Sequence, residues 1–64
     1  MFKKPSELEA GDVILGNPYC TWTVDEKPTD AFKVNMWRIK ATPSHPAYET
    51  VFTLNGEHAV EVAD

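Results

Sequence analysis

Glu7-Leu8-Glu9-Ala10-Gly11-Asp12-Val13-Ile14 is the stretch that sets the fold class, because it carries a helical turn directly into a strand. Ser6 followed three positions later by Glu9 matches a capping box, in which hydroxyl and carboxylate satisfy backbone N–H groups that a helix start leaves unpaired. Gly11 tolerates the left-handed conformation that ends such a turn. Residues 12–15 then form a β-branched, apolar run of strand type, and Gly16-Asn17-Pro18 closes it with three turn formers. The start of the chain therefore predicts one short helical turn, one strand and one loop.

Working outward, residues 20–26 alternate Cys20, Trp22 and Val24 on one face with Thr21, Thr23 and Asp25 on the other, the pattern of a half-buried strand. Lys27-Pro28-Thr29-Asp30 reads as a loop. Residues 31–41 read as the longest strand, with Phe32, Val34 and Met36 sharing one face and Trp37 and Ile39 the opposite one. That change of parity at Met36-Trp37 predicts a bulge, which bends a strand from one side of a barrel to the other. The two prolines of Thr42-Pro43-Ser44-His45-Pro46-Ala47 remove ladder donors, so this segment is expected to be an open hairpin loop leading to a strand over residues 48–54. Asn55-Gly56 supplies a type I′ turn into a last strand over residues 58–62. Five strands without a long helix are too few for a sandwich and suit a closed or partly open barrel. Phe32, Val34, Val24, Phe52, Leu54, Val60 and Val62 are its expected interior.

The leader Leu8-Glu9-Ala10-Gly11-Asp12-Val13-Ile14, the Trp22-Thr23-Val24 strand, the central hairpin and the terminal Val60-Glu61-Val62 together resemble the SH3-like small barrels, in particular short proteins of that kind from bacteriophages and bacteria. The resemblance covers nearly the whole chain and implies an all-β fold, a five-stranded SH3-like barrel with a short N-terminal helical turn, as one domain over residues 1–64. The chain lacks the second glycine and the basic residues that nucleic-acid-binding barrels carry after their first strand. It also lacks the longer acidic loop and paired tyrosines of peptide-binding SH3 domains. The resemblance further implies an accessory protein that docks on and modulates a larger host or phage protein.

Composition bounds the function. Sixty-four residues make one domain at most, and a chain this short buries only about 60% of the surface its unfolded form exposes. An apolar content of 42%, with three Phe, two Trp and two Tyr, is enough for a core. Ten acidic against six basic side chains give a net charge of −4, which disfavours phosphate-backbone binding, since that is driven by Lys and Arg displacing counterions. One cysteine, Cys20, excludes an internal disulfide. No apolar stretch approaches the roughly 18 residues that would span a bilayer, and after Phe2-Lys3-Lys4 the sequence places Pro5 and acidic residues where a signal peptide needs its apolar centre. The expectation is a protein of a reducing cytoplasm, that of the host if the chain is phage-encoded, with no membrane contact.

No constellation points to catalysis. Cys20 with His45 or His58 could be drawn as nucleophile and base, but Cys20 lies on the apolar face of its strand, where a free cysteine behaves as a small hydrophobe. Two histidines and a distant cysteine lack metal-ligand spacing. With only Gly11, Gly16 and Gly56 there is no phosphate-binding loop. Neither an enzymatic activity nor a cofactor is expected.

The aromatic residues carry the binding hypothesis. Trp37 and Ile39 either lie outside the barrel or cap its open end, and Trp37 beside Tyr48 and Arg38 would anchor a partner, because binding energy concentrates in Trp, Tyr and Arg. Trp22 is either a lid on the core or part of the same surface. The expected binding residues are thus Trp37, Tyr48, Arg38, Trp22 and Ile39, and the expected partner is a protein. A homo-oligomeric structural subunit is the alternative, through pairing of the same aromatic surface. A second alternative is a single-stranded nucleic-acid binder using Lys33, Arg38 and Lys40 beside the aromatics, although Lys33 differs in parity from the other two.

Overall fold

The computed structural model describes every residue except Phe32, and of Asn17 the backbone alone. Among the described residues seven strands follow one another: β1 (Phe2–Lys3), β2 (Val13–Asn17), β3 (Cys20–Val24), β4 (Thr29–Asp30), β5 (Met36–Pro43), β6 (Val51–Asn55) and β7 (Val60–Glu61). A 3₁₀ turn, Pro5–Glu7, stands between β1 and β2. The fold is all-β.

The long strand β5 organises the sheet because each half has its own neighbours. Its second half pairs with β3 (Trp22 with Pro43, Val24 with Ala41), and its first half lies between β4 (Thr29 with Arg38) and β6 (Met36 with Asn55 through Lys40 with Val51). The β2–β3 hairpin turns at Pro18-Tyr19, and a one-residue register shift between Ile14 and Asn17 marks a bulge. A second, two-stranded sheet pairs β1 with β7, and the bridge from Ile14 to Val62 joins it to β2. All pairings are antiparallel, so the order across both sheets is β1, β7, β2, β3, β5, β6. The sheets do not close into a barrel: among the described residues β6 pairs with β5 alone, and an open seam separates it from β7.

Side-chain alternation decides what the sheets bury. Ile39 and Ala41 on β5 are fully buried and Trp37 half-buried, while Arg38, Lys40 and Thr42 between them face solvent. Leu8, Ile14, Val24, Ile39, Ala41 and Val62 form the core, with Trp22, Trp37, Phe52, Leu54 and Val60 packed against it. Burying side chains of this size stabilises the fold by about 1.5–3 kcal/mol each.

The structure corrects several local expectations. The N-terminal turn is started by Pro5, whose fixed φ suits a first helical position, and it is Glu7 whose Oε1 accepts the Lys4 N–H at 2.7 Å; Ser6 sits inside the turn and Glu9 beyond it. The turn stops at Leu8, which becomes extended and directs a fully buried side chain into the core. Gly11 does have a positive φ of 96°, but in a reverse turn closed by Asp12 N–H to Glu9 C=O at 3.1 Å.

Residues 33–35 bend and turn instead of extending. Val34, expected inside, is 98% exposed, while Phe32, also expected inside, lies outside the described residues. Thr29–Asp30, read as loop, is the strand that makes a hairpin with β5, closed by Ala31 N–H to Met36 C=O at 2.8 Å. With the strand starting at Met36, its register against β6 is regular from Met36 to Lys40 and there is no bulge at Met36-Trp37. Pro43 belongs to β5, at its last pair, and residues 48–50 precede β6.

Asn55-Gly56 does not join two paired strands. The chain leaves β6 there and crosses to β7, which pairs with β1, and Gly11 is the only described glycine with positive φ. Gly56 is needed for close approach: its N–H donates to the Asn35 carbonyl at 2.7 Å. A Cβ there would stand 2.9 Å from Trp37 Nε1 and collide with Asn35 Oδ1.

Candidate docking groove at the open seam

Because β6 and β7 are not paired, the interior face of β6 is only half covered. Phe52 and Leu54 point inward opposite Ile39 and Trp37, and beyond them lies an apolar groove of about 390 Å³. Ile14, Trp22, Phe52 and Leu54 line it, with Val60 and Tyr48 also in its wall, and Glu49 is its only charged lining residue.

The loop between β5 and β6 builds the aromatic wall. Ser44 N–H donates to Thr21 C=O at 2.8 Å, Tyr48 N–H to His45 C=O at 3.2 Å, and Ala41 N–H to Thr50 C=O at 3.0 Å, while His45 Nδ1 accepts the Ala47 N–H at 3.2 Å. Held this way, Tyr48 meets Trp22 edge-to-face at a ring separation of 5.7 Å, and Trp22 meets Phe52 at 5.9 Å. His45 backs Tyr48 at 5.7 Å. Each such aromatic pair adds about 0.5–1.5 kcal/mol beyond the area it buries. Trp22 Nε1–H donates to the Glu49 carbonyl at 3.0 Å, which satisfies its one polar atom and fixes the indole. The wall is preorganised.

Of the residues expected to bind, Trp22 and Tyr48 come together in this groove. Trp37 is half-buried against the core, Ile39 is fully buried and has no surface to offer, and Arg38 is exposed on the opposite face of β5. Phe52, Leu54, Val60 and Ile14, which are not among the residues expected to bind, also line the groove. Phe52, Leu54 and Val60 were expected in the interior and do pack against the core, but an inward face on an open sheet is also a groove wall; Ile14 was read only as part of an apolar strand.

The cations form a separate surface. Arg38 and Lys40 border a depression of about 340 Å³ with Lys27, Thr29, Glu26 and, from β6, Val51, and Lys40 Nζ lies 3.9 Å from Glu26 Oε1. Since alternate residues of β5 face opposite ways, the aromatic groove and these charges do not share one surface. Cys20 is buried, its Sγ 3.4 Å from the Thr21 carbonyl and 3.6 Å from Ser44 Oγ. Among the described residues, no three His, Cys, Asp or Glu side chains are grouped to hold a metal ion, and no helix is long and apolar enough to cross a membrane.

One carboxylate has a clear electrostatic role. Asp12 Oδ2 accepts the Glu9 N–H at 2.9 Å and the Lys3 ammonium at 3.0 Å. The backbone hydrogen bond, with Lys3 second, holds its carboxyl below the ordinary value of 3.8. This contact ties β1 to the turn before β2.

Compared with models of protein families, with curated proteins and with solved structures, the chain matches none.

Proposed function

We propose that this chain is a non-catalytic protein-binding module that docks on a larger protein through the groove at its open seam. The observation that carries this reading is the apolar groove itself, in which Trp22 and Tyr48 are fixed by hydrogen bonds and ring contacts without being covered. Its volume suits one or two large apolar side chains. Preorganised aromatic residues at a pocket are where interface energy concentrates, and they need no ordering when the partner arrives. The strand order β7, β2, β3, β5, β6 supports the finer reading of an SH3-like barrel left open along one side, and the phage-type resemblance supports an accessory role on a host or phage protein. A nucleic-acid role is less well supported, because the Arg38 and Lys40 surface is turned away from the aromatic groove.

The test is capture from host-cell lysate by the wild-type chain and by Tyr48→Ala, Trp22→Ala and Arg38→Ala variants, each first shown to be folded by circular dichroism. Tyr48→Ala is the decisive variant, since it lies in a loop outside the core. A stoichiometric protein retained by wild type and Arg38→Ala and lost from Tyr48→Ala is expected. Equal retention by Tyr48→Ala would refute the groove.

A further inference from the structure

The free edge of β6 borders the groove, and the two together describe a slot for a strand. Ala41 N–H donates to Thr50 C=O, so positions 41 and 50 form a hydrogen-bonded pair. The alternation of an antiparallel ladder then makes Ile39 with Phe52 and Trp37 with Leu54 the next such pairs. Val51 and Thr53 consequently direct their N–H and C=O groups away from β5. Among the described residues, no other strand pairs with that edge, and none of these four groups has a backbone partner.

The other edges are guarded in the usual ways, and this one is not. β1 carries Lys3 and is followed by Lys4 and Pro5, while β4 is two residues long with Lys27, Pro28 and Asp30 around it. Charge, proline and shortness are the devices that keep edges from pairing. Residues 50–56, Thr-Val-Phe-Thr-Leu-Asn-Gly, contain neither charge nor proline. Carboxylates stand just outside this neutral run, Glu49 before it and Glu57 after it, and Glu49 also lines the groove.

We infer that the partner binds by strand addition: an extended segment of the partner protein pairs with the free edge of β6, sets alternate apolar side chains into the groove, and carries basic residues at both ends that face Glu49 and Glu57. This rests on the groove being the docking site. Main-chain pairing with Val51 and Thr53 supplies up to four backbone hydrogen bonds and thus affinity. The pocket beside Trp22, Phe52 and Leu54 supplies specificity through every second side chain. The charge pattern is what distinguishes the occupant from a second copy of this chain, whose own net charge is −4.

The probe is a capped heptapeptide alternating valine with threonine and bearing lysine at each end, titrated into the full chain and followed by amide shifts and hydrogen exchange. Shifts at Val51 and Thr53 with slowed exchange of both amides are expected, with affinity at least about fivefold weaker when glutamate replaces the lysines at low salt. Two further peptides, N-methylated on alternate amides, avoid any question of the protein's folding. Methylation of the set facing β6 abolishes binding, and methylation of the other set is tolerated. Thr53→Pro removes one outward N–H at an edge position where proline is compatible with the ladder, and weakens binding about tenfold or more, whereas Thr53→Ala stays within about twofold.

Equal effects of the two methylated sets, or unchanged binding by a folded Thr53→Pro, overturn strand addition. Equal binding of the glutamate-ended peptide overturns the basic partner. Protection of Val51 and Thr53 without peptide, with a mass above 7.2 kDa in sedimentation, overturns the inference by giving the edge to a second copy. If no peptide binds while Tyr48→Ala still loses the captured protein, strand addition fails and the groove stands.

Discussion

At the scale of single residues, burial sets the largest expected effects. Leu8 was read as a position in a helical turn, yet it is fully buried as one of the six core side chains. Leu8→Ala should cost about 2–5 kcal/mol, a large share of the roughly 3–10 kcal/mol expected for a chain this size, and urea unfolding measures it. Val34→Ala, at a 98% exposed position, should leave the midpoint unchanged within about 0.5 kcal/mol. Val34 shows why sequence reading failed there, since an apolar residue at even spacing imitates strand alternation even when the chain is turning. Asp12 gives a pH dependence. Its folded pKa is depressed below 3.8, so its contribution is complete above that value and drains away as pH falls through the depressed one. The stability difference between wild type and Asp12→Asn should therefore be constant near neutrality and shrink below about pH 3.8. A difference that persists undiminished toward pH 2 would exclude this linkage.

At the scale of elements, β3, the second half of β5 and β6 were legible because apolar and polar residues alternate along them. Strand β2 was legible because it is an apolar run ending near Gly16 and Pro18, although the start of β5 was not. The candidate site was legible in part, as Trp22 and Tyr48, but the closure of the sheet was not, because pairing partners distant in sequence leave no local signal. The Asn55-Gly56 dipeptide illustrates this: it has the chemistry of a hairpin turn, yet its glycine serves a close approach to Asn35 and Trp37. Asn35 has a positive φ of 60°, and its Nδ2 reaches Glu57 Oε1 at 3.3 Å. Asn35→Gly should be tolerated, whereas Asn35→Ala should lose about 1–2 kcal/mol from the strained backbone alone. Comparing the two by thermal unfolding isolates the conformation from the side-chain contact, because both remove the amide. Equal midpoints would show that the left-handed backbone is not under strain.

For the whole molecule, charge and the unguarded edge act together. A net charge of −4 keeps copies apart at neutral pH, and that repulsion vanishes near the sequence pI of about 4.9. Light scattering should rise as pH approaches that value, and Thr53→Lys, which places a cation on the outer face of the bare strand, should suppress the rise beyond what its single charge does to the pI. A control with lysine at the exposed Val34 shifts the pI equally, so the same suppression there would remove the edge from the explanation. The bridge between Ile14 and Val62 and the hydrogen bond from Ala63 N–H to Val13 C=O at 2.9 Å bear on assembly in time. Ile14 emerges from the ribosome well before Val62, so the margin of β2 stays bare until residue 62 has been made. Contacts this far apart in sequence also slow the search for the native state, toward the millisecond-to-second range of β-rich domains. During that interval the nascent chain presents the bare margin of β2 as well as that of β6, and it is then, more than once β7 is in place, that it depends on meeting few competing strands.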